Sequence, residues 1–143
     1  MWILLSLGAS LFWGLEYVLN EQVYKKISVL TSLTITSFFV FILALIISFF
    51  SGNLNKDIHT IVSSKELLWL VVGEIVFLLI AELFIGFSIT AKDATLAGLI
   101  EISYPIFIAI FSYILYKNHI SWQTIIGGLF IFVGIFIIYF FNK

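Results

Sequence analysis

Cysteine is absent from the 143 residues, so disulfides, thiolate metal sites and thiol catalysis are all excluded. Charge is scarce as well. Asp, Glu, Lys and Arg make up 10% of the chain, where an ordinary soluble domain carries about a quarter. The net charge of -1 and the lack of any Lys-rich run remove the electrostatic case for nucleic acid or a calmodulin-type target. The N-terminal MWILLSLGASLFWG has no positive leader region, so it is read as a first permanent span and not as a signal peptide. No nucleophile elbow, phosphate-binding glycine loop or metal-ligand helix motif occurs. The expectation is a protein that is not an enzyme and has no cofactor and no metal.

What fills the chain is apolar: 62% of residues are hydrophobic, and the mean hydropathy is +1.20. A bilayer-spanning helix needs about 20 mostly apolar residues. Five segments qualify, at about 2–20, 29–50, 67–90, 94–116 and 122–141. The second is rich in β-branched and aromatic residues, which in water would favour strands. In lipid only a helix or a closed barrel satisfies the backbone, and the roughly ten-residue alternation of barrel strands is missing. The fold expected is an all-α integral membrane protein with five transmembrane helices in one domain over residues 1–143. The longest connection, Ser51 to Glu66, is expected to be a loop, and the only proline, Pro105, stands near the middle of the fourth span.

Five crossings put the two ends on opposite sides of the membrane. Trp2, Trp69 and Trp122 begin the odd-numbered spans and fit one interfacial belt. On that side fall Lys56, Lys65 and Lys117; on the other, Lys25, Lys26, Lys92 and Lys143. Lys/Arg bias in short loops is the main determinant of orientation, and here it is almost balanced. Either other features select one orientation, or the chain inserts both ways round. Small residues at four-residue spacing let helices approach closely. Ser6, Ser10 and Gly14 form one such ridge, Thr90, Ala94 and Gly98 another, and Gly127 and Gly134 lie a heptad apart.

The residues that carry chemistry are acids within the spans: Glu82, Glu74, Glu101 and, less deeply, Glu16. A charge at mid-bilayer costs about 2.5–3.5 kcal/mol on insertion scales, so such residues usually face a cavity and act there. Glu82 is nearest the centre of its span. Glu74 lies eight residues earlier, about 80° round the helix and roughly 12 Å along it. No Lys or Arg lies inside a span to pair with them. A carboxylate that holds either a proton or a cationic solute gives exchange by direct competition. The other reading is a neutral Glu hydrogen-bonded to Ser, Thr or a carbonyl of a neighbouring helix. Glu101 comes four residues before Pro105, whose missing N–H leaves the Glu101 carbonyl without its helical partner. With the Tyr104 hydroxyl beside it, this bend is of the kind that lines transporter sites, unless Glu101 simply snorkels to the headgroups. Trp13 sits deeper than an interfacial anchor requires, as cavity lining or as packing. The Thr31, Ser32, Thr34 and Ser37 group is expected to bond its own backbone. His59 and His119 fall in loops, with nothing to pair them as ligands.

Several segments together carry a family resemblance. These are Trp13-Gly14, Lys65-Glu66-Leu67-Leu68, the turn Ala91-Lys92-Asp93-Ala94-Thr95-Leu96-Ala97, Glu101-Ile102-Ser103-Tyr104-Pro105, and Ile120-Ser121-Trp122-Gln123-Thr124-Ile125-Ile126-Gly127 with Gly134 beyond. Over nearly its full length the chain resembles a single EamA-like repeat of the drug/metabolite transporter superfamily. The resemblance implies two inverted five-helix repeats around a central cavity, usually in one chain, that move amino acids, metabolites or toxic compounds. Related small multidrug transporters reach that architecture as antiparallel homodimers. Here there is one repeat, and Asn118 stands where the family usually has Glu. The function expected is a multi-pass cell-membrane transporter of small metabolites or drug-like solutes. It would be proton-coupled and would work as a homodimer, antiparallel or otherwise, or with an inverted partner subunit. Glu82 would be the main site, Glu74 and Glu101 accessory acids, and Trp13 and Tyr104 lining. The alternative is a non-transporting membrane subunit that docks on a larger partner.

Overall fold

The computed structural model describes residues 1–141; Lys143, one of the lysines in the charge balance, lies outside them. The described residues form seven helices in chain order: α1 (Trp2–Tyr24), α2 (Val29–Phe50), α3 (Leu54–Ser63), α4 (Lys65–Ala91), α5 (Ala94–Glu101), α6 (Tyr104–Tyr116) and α7 (Trp122–Phe141). Five segments are long and apolar enough to cross a membrane: α1, α2, α4, the α5–α6 pair taken together, and α7. The expected spans therefore stand, with α1 running a turn further than hydropathy alone suggested, through Glu21 and Gln22.

Two features refine that reading. The segment expected to be a loop contains α3, whose Leu54, Ile58 and Ile61 recur at helical spacing and give a ten-residue helix one apolar face. Polar flanks at Ser51–Asn53 and Ser63–Ser64 hid that short periodicity. The fourth span is broken outright, between Glu101 and Tyr104. Pro105 sits in the first turn of α6, where its missing N–H costs no helical bond and its fixed φ suits the start of a helix.

The chain divides into two compact units, one made of residues 1–21 with the chain from Ser88 onward, the other of Gln22–Phe87. In the second, Ser28 caps α2 by accepting from the Thr31 N–H at 3.2 Å, and the Thr34 hydroxyl donates back to the Leu30 carbonyl at 2.8 Å. Of the polar group at the start of this span, Thr34 thus serves its own backbone, while the Thr31 hydroxyl pairs with that of Ser28 at 2.9 Å. Val29 and Ser32 are buried, and Gly86 of α4 lies against Val29 and the Tyr24 hydroxyl. In the first unit the buried residues are Ile89, Ala94 and Ala97, and α5 and α6 both pack on α7.

Most large apolar side chains point outward. In a bilayer this is no liability, since lipid tails are as apolar as leucine and close approach of small residues holds the helices together. The ridges differ in use. Ala94 and Gly98 are consumed in packing within the first unit. Around Gly14, Gly127 and Gly134 no atom comes within 4 Å of an added Cβ, while the Ser6 and Ser10 hydroxyls bond their own helix at 3.1 and 3.0 Å.

Candidate functional site

A helix of eight residues is too short to hold itself together, and α5 is held at both ends. At its start, the Asp93 carboxylate accepts from the Leu96 N–H at 2.7 Å. A second carboxylate, Glu21 of α1, accepts from the Ala94 N–H at 3.0 Å. The first N–H groups of a helix have no internal partner, and negative charge there is further favoured by the helix dipole. At the other end, the Tyr17 hydroxyl donates to Oε2 of Glu101, the last residue of α5. Between the two ends α5 presents Gly98 to the Tyr17 ring; a Cβ there would lie 3.2 Å from a ring carbon.

Tyr17 and Glu21 are four residues apart, so they share one face of α1, and this face grips α5 in antiparallel fashion. The geometry suggests a direct stability test. Glu21→Ala, by removing one cap from α5, is expected to destabilise the protein by ~0.5–2 kcal/mol, with Asp93→Ala in the same range. A lowered thermal midpoint in detergent for both variants, with a smaller loss for Glu21→Gln, checks it.

Glu101 is half-buried. Immediately after it Ile102 and Ser103 interrupt the span, with the Ile102 N–H bonded to the Gly98 carbonyl at 3.1 Å and the Ser103 N–H to that of Ile100 at 3.2 Å. Pro105 has no N–H to offer the Glu101 carbonyl. The carboxyl group therefore sits at a gap in a membrane span with one oxygen held by a phenol.

The other residues singled out from sequence are placed as follows. Tyr104 opens α6 across the gap and is 43% exposed; Trp13, one turn before Tyr17 on α1, is 54% exposed. Glu16 is exposed. In the other unit, Glu82 is half-buried on α4, and Glu74, two turns earlier, is exposed. The contact that organises the first unit joins Glu101 to Tyr17, a residue sequence reasoning missed, as it missed the capping role of Glu21. The one available signal was that Trp13, Tyr17 and Glu21 recur every four residues at the end of the first span. That spacing names a face, but not the helix it meets. Among the described residues no group of three or more His, Asp or Glu side chains is placed to hold a metal ion.

A family model, that of the EamA-like transporter family, matches residues 1–140, essentially the whole chain. No curated protein and no solved structure matches it.

Proposed function

The chain belongs to the EamA-like transporter family, and from this premise we propose that it is a half-transporter for small metabolites or drug-like solutes that works by proton-coupled exchange. The observation that carries the coupling is the Tyr17–Glu101 hydrogen bond at the interruption of the fourth span. Glu101 takes either a proton or a cationic or amine-bearing solute, and Tyr17 holds the carboxyl in place between the two events. Glu82 is the second acid, half-buried on α4; Glu74 is accessory, and Trp13 and Tyr104 line the path. Spans that carry acids and, apart from Lys65 at the start of α4, no Lys or Arg favour cations and neutral amines over anions.

Reconstituted into vesicles under an imposed pH gradient, the wild-type chain is expected to drive solute flux that depends on pH. Glu82→Gln serves as the comparison for Glu101→Gln. If Glu82→Gln removes the pH dependence and Glu101→Gln keeps it, the coupling site belongs on α4 instead.

Two copies complete the transporter. Five spans, with lysines balanced on both sides, suit a chain that supplies both inverted halves in the cell membrane, as an antiparallel homodimer. Reporters at the C-terminus, one active only inside the cell and one only outside, are both expected to give signal. Signal from one side alone assigns the second half to a different, inverted partner chain.

A further inference from the structure

The first unit contains a cleft that the transport reading does not use. Between α6 and α7 lies an apolar cavity of about 380 Å³, floored by Gly127 and Gly128 and walled by Ile106 and Phe132. It shares Pro105, Ala109, Ile120 and Thr124 with a second cavity of about 260 Å³ at the C-terminal end of α6, lined there by Ser112, Asn118 and His119. One cleft thus has a greasy shaft and a polar mouth. Its depth in the membrane follows from the spans: the mouth lies where one ends at Tyr116 and the next begins at Trp122, the level of the headgroups. From Thr124 to Phe132 the shaft descends roughly 12 Å, most of the about 15 Å thickness of one hydrocarbon leaflet.

The mouth offers donors. Among the described residues no Asp or Glu lines either cavity. Asn118 Nδ2 donates to Ser112 Oγ at 2.7 Å, which leaves its second N–H to donate outward, beside the imidazole of His119. At the end of α6 the Lys117 N–H bonds the Tyr113 carbonyl at 3.0 Å and the Asn118 N–H that of Ser112 at 3.3 Å. Lys117 closes the helix at φ 56, its ammonium 5.8 Å from the Tyr113 ring centroid. Thr124, in the first turn of α7, brings the positive end of that helix to the same place.

We propose that this cleft binds a phospholipid, the acyl chain along Gly127 and Gly128 and the phosphate at Asn118 and His119. The shape fits an amphiphile and the donors fit an anion. A shaft within the hydrocarbon has no water to fill it.

The test is native mass spectrometry of the full chain in detergent, with phosphatidylglycerol or with diacylglycerol of the same acyl chains added. Phosphatidylglycerol is expected to be retained roughly ten- to a hundredfold better, the range for hydrogen bonds to a charged group. The double variant Asn118→Ala, His119→Ala loses that preference but still binds both weakly. Gly127→Phe, at a position where an added Cβ meets nothing within 4 Å, fills the shaft and abolishes both adducts without lowering the thermal midpoint. Equal retention of the two lipids overturns the headgroup assignment. Undiminished adducts on Gly127→Phe, or a dimer that becomes monomeric with lipid binding intact, overturn the site, the latter because a second copy would then occupy it.

Discussion

Glu101→Gln is expected to make transport indifferent to the pH gradient, with gradient-driven flux falling roughly 5- to 150-fold, the range that coupling free energies of about 1–3 kcal/mol produce. Glutamine is chosen because it keeps the shape and the acceptor. Its amide oxygen still receives the Tyr17 hydroxyl that Glu101 receives through Oε2, so α1 keeps its hold on α5. Glutamine cannot take up or release a proton. A loss of gradient-driven flux with an unchanged unfolding midpoint therefore reports on coupling and not on folding. Tyr17→Phe makes the complementary change: the ring stays over Gly98 and only the hydroxyl goes. Transport should continue with a displaced pH profile. If Glu101→Gln transports with wild-type pH dependence, Glu101 is a structural tie and nothing more.

Gly86→Ala is expected to be among the most destabilising single-methyl changes available to this chain, at about 1–3 kcal/mol, the usual cost of overpacking. An added Cβ would lie 2.5 Å from Cγ1 of Val29 and 3.4 Å from the Tyr24 hydroxyl. Val29 has nowhere to go: it is 4% exposed, and a β-branched side chain on a helix has one strongly preferred rotamer. Val29→Ala removes the colliding methyl group. The double variant should thus recover much of the loss, and the two changes should couple strongly in a double-mutant cycle. Thermal unfolding in detergent measures all four corners. Additive single effects would mean that α4 moves aside and that the close approach at Gly86 is not fixed.

The spans were legible because length and hydropathy suffice to mark them, and an interruption just before Pro105 because a missing N–H is a local fact. The remainder depended on which helix touches which. Glu101 was visible as an acid beside a proline, but its partner Tyr17 lies 84 positions away, and an apolar helix with little amphipathic contrast does not announce its neighbour. Glu21 read as part of a polar patch that ended the first span; whether such a carboxylate meets water or an N–H of another helix is decided by packing alone. The α3 helix was hidden for a different reason. Four apolar residues in ten, three of them on one face, make too weak a periodicity among Asn55, Lys56, Asp57 and Thr60. The apolar-to-polar cleft between α6 and α7 was invisible as well, since its walls come from two helices and are joined through Pro105, Ala109, Ile120 and Thr124.

The two polar ties between α1 and α5 differ in one respect that bears on how the protein could work. Glu21 holds a backbone N–H, which has no other use in transport. Tyr17 holds the very carboxyl group that a solute or proton would claim. On the proposed reading, a ligand that takes Glu101 away from Tyr17 would compete with the protein's own packing and leave α5 tied to α1 through Glu21. Linkage makes the relation reciprocal. A change that weakens the Tyr17–Glu101 tie, whether a substitution, a change in the bilayer or the approach of a second subunit, would raise the affinity of Glu101 for such a ligand by the same factor.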